Sequence, residues 1–285
     1  MATRALVVGG TGGIGFAIAC RIAAESASST VIISGRNKPK NIPHSNMEFR
    51  PLDASSMRSI KKYTDAYKSA KEQSIDLLVL TQGILTTAGR TETPEGLDVK
   101  MALHYYGRQL LVRELTPVLK NDAKVLIVLD GLRGSPVGLN WEDLDLKTHY
   151  GMSNAAHHCI SMNDAMVQAY AAQQKGQSAS RRHYVHAHPG IVKTDLFESL
   201  PWYLRAGTRV LSHVIGVAPE TCAANLLKGT YDSAAAGEKE DKYWSCIDGT
   251  GNLVTKKPSW SEEEIKKVED HTWKIVDDAI NTPSQ

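Results

Sequence analysis

A three-layer α/β fold with a doubly wound parallel sheet of about seven strands is what this 285-residue sequence predicts, and three observations predict it. Short apolar runs alternate with segments of helical spacing along the chain. Several of those runs are continuously apolar, without in–out alternation, as strands covered by helices on both faces should be. A glycine-rich turn follows the first run and opens the first helical segment. This rhythm implies right-handed crossovers within one sheet. With no internal repeat and no low-complexity linker, residues 1–285 read as a single domain.

In chain order, the first strand is expected at 5–8 (Ala5-Leu6-Val7-Val8) and the first helix at 14–26, directly after the glycines. Apolar runs place the next strands at 30–34 and 47–52, with a helix at 56–72. A strand at 75–80 and a helix at 97–119 follow, then a strand at 125–129 and a helix at 150–174. The remaining elements are a strand at 184–188, a helix at 219–228 and a strand at 243–247. A covering helix at about 261–281 closes the chain. Its start is marked by Ser261-Glu262-Glu263-Glu264, a capping box, with Trp260 spaced to staple against Ile265. Beyond it Ile265, Val268, Thr272, Ile275 or Val276, and Ala279 recur at helical spacing, so one face should dock.

Composition bounds the function. Apolar residues make up 42% of the chain and charged residues 22%, a globular balance. The net charge of +2 gives no electrostatic case for a nucleic-acid partner. A strand-like run so near residue 1 leaves no room for a signal peptide, and no apolar stretch has the length of an integral membrane segment. Cys20, Cys159, Cys222 and Cys246 are scattered without metal-type spacing and read as small apolar residues of a reducing compartment. A cytoplasmic location is the expectation.

The turn reads Gly9-Gly10-Thr11-Gly12-Gly13-Ile14-Gly15. Glycines let the backbone turn sharply and approach a pyrophosphate, while the helix N-terminus offers free N–H groups and a favourable dipole. Two registers fit, Gly10/Gly12/Gly15 and Gly9/Gly13/Gly15. Between a first strand and a first helix, either one is the dinucleotide signature of a Rossmann fold. At the end of the second strand, an acid would bind the adenosine ribose and repel a 2′-phosphate. Here the residues are Ser34-Gly35-Arg36-Asn37. Arg36 favours NADP(H), with Ser34 and Asn37 as candidate phosphate neighbours.

Over nearly its whole length the chain resembles the short-chain dehydrogenase/reductase superfamily. The family motif T-G-x-x-x-G-x-G selects the Gly9/Gly13/Gly15 register, with Val8 in place of threonine, and Thr11, Gly12 and Ile14 fall inside the loop. Asp53 in "PLDAS" matches the family's aspartate beside the adenine. "LTQG" at 80–83 stands where the family has N-N-A-G, keeping only Gly83. "HPGIVKT" at 188–194 resembles the segment that holds the nicotinamide, which implies that role for Pro189, Gly190, Val192 and Thr194. "GLNWEDLDL" at 138–146 is similar to the branch containing retinol dehydrogenases and WW-domain oxidoreductase.

The resemblance also implies a catalytic quartet of Asn, Ser, Tyr and Lys. Only the tyrosine, Tyr150 in "YGMSN", is kept; Asn154 stands for the lysine, Asp130 for the serine and His104 for the asparagine. A free phenol ionises near pH 10, and a cation one helical turn away would stabilise its anion. Asn154 supplies no charge, although its amide could still bond ribose hydroxyls, and an Asp130 anion would oppose ionisation. Tyr150 is therefore a poor base for alcohol oxidation and a serviceable acid for carbonyl reduction. His104, near neutral pKa by default, would resupply the proton. The same residues suit proton abstraction beside a carbonyl, so an isomerase, dehydratase or cyclase using Asp130 and Tyr150 stays open, as does a catalytically silent NADP(H)-binding protein. Arg133 reads as a carbonyl anchor, a neutraliser of Asp130 or an exposed side chain.

No metal is expected. His157 and His158 are consecutive on a helix and do not share a face. Of His183, His186 and His188, only the last two share strand parity. A segment at about 195–217 (Leu196-Phe197, Leu200-Pro201-Trp202-Tyr203-Leu204, Val210-Leu211, Val214-Ile215) has apolar residues at helical spacing. As a lid it implies a small lipophilic substrate; a homodimer interface and a peripheral membrane contact rank second and third. The leading expectation is an NADPH-dependent reductase of a lipophilic ketone or aldehyde.

Overall fold

β-branched and leucine-rich runs with no polar interruption have only one stable place in a water-soluble chain, between two layers of helix. In the computed structural model, which describes residues 2–70, 74–174, 180–196, 200–202, 205, 207 and 214–281, that is where they lie. The strands are β1 (Arg4–Val8), β2 (Thr30–Gly35), β3 (Met47–Pro51), β4 (Ile75–Leu80), β5 (Leu119–Val128), β6 (His183–Ala187) and β7 (Trp244–Ile247). All pair in parallel, in the order β3-β2-β1-β4-β5-β6-β7.

Successive side chains of each strand feed opposite layers. Leu6, Val8, Ile32 and Leu78 pack under α2 (Met57–Ser69), α3 (99–115), α4 (Met152–Gln173) and α6 (Glu262–Asn281). Ala5, Val7, Val31, Ile33, Leu77 and Val79 pack under α1 (Gly13–Glu25) and α5 (Pro219–Lys239). Each such fully buried Val, Leu or Ile contributes about 1.5–3 kcal/mol of burial energy. Because β1 has β2 on one side and β4 on the other, the strand order reverses there. The crevice beyond the carboxyl ends of β1 and β4 is the place where this architecture receives ligands.

Element boundaries differ from expectation in three places, each for a local reason. β5 starts at Leu119 rather than near 125, because Leu119 pairs with Ile75 across an irregularity. The polar Lys120-Asn121-Asp122 that masks this lies past the core, exposed. α5 runs on to Lys239, beyond the expected 228. Gly229 does not break it, since a β-carbon there would sit 2.4 Å from the Gly251 carbonyl oxygen and only glycine permits that approach. α3 is composite: Val99–Met101, a π-turn at Ala102–Tyr106, then Gly107–Leu115. Such insertions recur at functional sites.

The C-terminal helix follows its sequence signals. Ser261 Oγ accepts from the Glu264 N–H (3.1 Å) and Glu264 Oε2 accepts from the Ser261 N–H (2.8 Å), closing the capping box. Val268, Thr272, Val276 and Ala279 form the docked face. Trp260 is buried, with its ring edge-on to Trp141. Most of the 195–217 segment (197–199, 203–204, 206 and 208–213) lies outside the described residues; within it, Trp202, Val214 and Ile215 are exposed.

Candidate active site and cofactor cleft

The cleft begins where β1 ends. Gly9 has φ +80°, a left-handed conformation, and a β-carbon there would lie 2.5 Å from the Gln82 nitrogen. One at Gly15 would meet Thr81 Oγ1 at 2.4 Å and the Gly9 oxygen at 2.5 Å. The loop is therefore clamped between helix and strand, and Thr81 completes the clamp by donating Oγ1–H to the Val8 carbonyl (3.1 Å). Gly12 caps α1 in extended conformation with no side-chain cap and nothing within 4 Å of its missing β-carbon. The first N–H groups of α1 thus face open space, as an anion-binding helix start requires.

A cleft of about 510 Å³ opens over this loop, lined among others by Gly9, Thr11, Gly12, Gly13, Ile14 and Gly15, and by Arg36, Asp53, Gly83 and Thr194. Thr194 comes within 3.2 Å of where a Gly13 side chain would start, which brings the 188–194 segment onto the glycine loop. Arg36 is exposed at the rim. One oxygen of Asp53 accepts from the N–H and Oγ–H of Ser55. A dinucleotide fits these residues: the steric cradle, the uncapped helix start and the cationic rim are all present.

Several expected cofactor contacts are not in the cleft wall. Ser34 is fully buried and shares a hydrogen bond with the Tyr63 hydroxyl (2.8 Å), so it is no phosphate neighbour. Asn37 is exposed and does not line the cleft. Pro189, Gly190 and Val192 also lie outside its lining; Val192 is buried and bridges to Val217, and Gly190 takes φ +71° to turn the chain. Asn154 is exposed, its amide donating to the His149 carbonyl at 3.4 Å rather than facing a ribose.

The quartet positions separate too. His104 sits in the π-turn with Nε2 accepting from the Ile84 N–H (2.9 Å). Dense packing, with the charges of Arg108 and Lys100, pushes its pKa down to about 3, which favours the neutral ring and makes it a poor proton reservoir. It props the cleft wall instead. Asp130 is not a free base. Its carboxylate lies 2.8 Å from His188 Nδ1 and 3.0 Å from Arg133 Nε. Burial alone would raise its pKa, but His188 and Arg133 outweigh this and hold it below the usual range. Arg133 is thereby a neutraliser. His157 and His158 are structural: His157 Nε2 meets the Val137 carbonyl, while His158 accepts from the Asn140 N–H and meets the Leu144 carbonyl.

Tyr150 is partly buried, and its hydroxyl is enclosed without a hydrogen-bond partner among the described residues. Asp143, buried in the preceding turn, sets its approach by accepting from the N–H groups of Lys147, Thr148 and His149. Burial opposes ionisation of Asp143, yet these bonds and the Thr148 hydroxyl hold its pKa far below normal. A cation does stand beside the tyrosine. Lys100 Nζ lies 5.3 Å from the Tyr150 ring centroid and donates to the carbonyls of Ala88 and Gly89. It also lines a cavity of about 400 Å³ with Ile84, Leu85, Val99 and Leu196, contiguous with the cleft through Gly83 and Ile84.

Sequence reading missed three more charged groups. Arg108 is fully buried, donates to the carbonyls of Gln82 (2.6 Å) and Val128 (2.9 Å), and ties the ends of β4 and β5 together. Burial lowers its pKa to about 10. Asp164, His186 and Cys246 converge behind the site, their ligand atoms within 4.8 Å of one another. Lys257 Nζ lies 3.1 Å from Asp164 and donates to the carbonyls of Gly131 and Gly134. That ammonium already supplies the positive charge the carboxylate needs. The signal for Lys100 and Arg108 was in the sequence, as cations interrupting the apolar face of a helix.

The short chain dehydrogenase family matches residues 3–135, from β1 to the loop after β5. The chain belongs to the short-chain dehydrogenase/reductase superfamily. An oxidoreductase of Emericella nidulans is 30% identical over 205 residues, covering 68% of this chain and 59% of that protein. Human polyprenol dehydrogenase is 26% identical over 235 residues, covering 76% and 68%. The NADPH-bound carbonyl reductase from chicken fatty liver superposes with a TM-score of 0.61 at 18% identity, over 89% of this chain and 94% of that one, a likeness of fold. The chain spans 59% of the length of the Emericella nidulans protein and of a second fungal oxidoreductase, from Emericella variicolor. Superfamily members bind a nicotinamide cofactor, and the glycine cradle has the open, side-chain-free form that such a group would need.

Proposed function

We propose that this protein is an NADPH-dependent reductase of lipophilic ketones or aldehydes, with Tyr150 as the proton donor. The observation that carries the reading is the pairing of an intact dinucleotide cradle with an enclosed, uncommitted phenol. Arg36 at the rim, where no acid closes the end of β2, supports a 2′-phosphate and hence NADP(H). The apolar wall of Ile84, Leu85, Val99 and Leu196 supports a lipophilic substrate, as does a relative whose name is polyprenol dehydrogenase.

When bound, the cofactor supplies the hydride. The chain's residues do the rest. Glycine-loop amides and Thr194 hold the dinucleotide, and Arg108 and His104 fix the wall by gripping the carbonyl of Gln82 and the N–H of Ile84. Tyr150 Oη gives its proton to the carbonyl oxygen as that oxygen gains charge. Lys100, from a different helix than the expected lysine, places positive charge against the phenol ring and favours the anion that proton donation leaves. Asp130, neutralised by His188 and Arg133, is a weak base, which disfavours the isomerase reading.

Calorimetric titration with NADPH, NADP⁺ and NADH tests the first half. NADPH binding at least about tenfold tighter than NADH is expected from one charge-assisted contact. Deuterium transfer from 4-deuterated NADPH to a ketone tests the second; binding without transfer to any carbonyl would leave a non-catalytic binding protein. A homodimer and a cytoplasmic location remain the companion proposals, testable by sedimentation and by imaging of the tagged protein.

A further inference from the structure

Gln82 is 6% exposed and lines the cofactor cleft. Its carbonyl is committed, held by the Arg108 guanidinium, and its nitrogen packs closely over Gly9. Its side chain is not. Both Oε1 and Nε2 are enclosed with no hydrogen-bond partner among the described residues. An enclosed carboxamide with two idle polar atoms weakens the folded state unless something else uses it. Thr81 beside it, by contrast, spends its hydroxyl on the Val8 carbonyl.

We propose that Gln82 is a ligand-binding residue whose carboxamide grips a vicinal hydroxyl pair on a ribose of the bound dinucleotide. This rests on the dinucleotide reading above. The choice of group follows from the two idle atoms. A phosphate oxygen only accepts, so it would satisfy Nε2 and leave Oε1 facing an anion. Sugar hydroxyls both donate and accept, and a neighbouring pair satisfies the whole amide. In the superfamily motif the position is alanine, which makes no side-chain bond; the grip belongs to this chain.

The test uses the full chain and NADPH, with affinity read by calorimetry and the melting point of the cofactor-free protein read in parallel. Gln82→Met removes both polar atoms at similar volume. Affinity about tenfold weaker, the order of one or two lost hydrogen bonds, together with a higher cofactor-free melting point, would bear the proposal out. Unchanged affinity would overturn it. So would a lower melting point accompanying the weaker binding, since the amide would then be propping the wall. Gln82→Glu decides the partner: a carboxylate still accepts from ribose hydroxyls, so affinity within a few-fold of wild type is expected, whereas a loss of about a hundredfold would mean that a phosphate faces residue 82. If the wild-type chain itself binds no dinucleotide, the reductase reading falls with this one; if it binds and Gln82→Met binds equally, only this one falls.

Discussion

The glycine cradle and the surroundings of Tyr150 are built on different principles. On the β1–α1–β4 side the determinants are steric: Gly9 and Gly15 exist because a β-carbon would collide with backbone or with Thr81. Such a constraint can be met by one residue type alone, so it stays in place. Around Asp130 and Tyr150 the determinants are charges and hydrogen bonds, which act across space and can be supplied from elsewhere in the chain. Where the superfamily draws its cation from the helix of the tyrosine, here an ammonium reaches Tyr150 from α3. Where a serine is expected, Asp130 is tied up by His188 and Arg133. A site can thus change nearly all its polar residues while its cradle hardly changes.

Substitutions on each side should act on different quantities. Tyr150→Phe should have the largest effect, cutting reductase turnover by about a thousandfold with NADPH affinity intact, since general acids contribute on that scale; measurable turnover near wild type would move the proton donor elsewhere. Gly15→Ala forces a β-carbon into Thr81 and should weaken NADPH binding by roughly a hundredfold, the order expected of a strained or displaced loop. Arg36→Ala should cost about tenfold in NADPH affinity and leave NADH unchanged, as the loss of one charge-assisted contact would. Lys100→Met should lower turnover by about tenfold with little change in cofactor affinity, and Lys100→Arg should recover part of it. An equal loss of cofactor affinity would instead make Lys100 a strut for the 84–91 loop.

The smallest effect is on acid stability. His104 and His183 have folded pKa values of about 3 and about 4, both depressed first by burial. In the unfolded chain each takes a proton near pH 6.5. Their contribution to stability is therefore whole above that pH and falls as acid is added through the window down to the folded values. Melting points taken from pH 7 to pH 4 should decline, and His104→Asn should flatten the decline.

What was legible in the sequence follows the same division. The central strands were readable because Val31-Ile32-Ile33 or Leu77-Leu78-Val79 is an apolar run that only a doubly covered strand accommodates. The glycine loop was readable because its order is its mechanism. The surroundings of Asp130 and His104 were not legible, because His188 lies 58 residues beyond Asp130 and His104 is governed by the packing around it. Lys100 could be seen in the sequence as a cation on an apolar helix face, but nothing local says that its ammonium meets a ring 50 residues away, or that the Gln82 amide finds no partner.

Lys257 extends this into how the molecule can be altered. Its ammonium, in an irregular stretch ahead of the last helix, holds the Gly131 and Gly134 carbonyls, and nearby Trp260 braces Trp141. The loop bearing Asp130 is therefore held shut by the chain's far end, like a drawer by its latch. A tag, truncation or splice variant that disturbs residues 254–261 would be felt at the catalytic loop before it was felt in the cradle. Cofactor capture and turnover would then part company in a protein whose active-site sequence had not been touched.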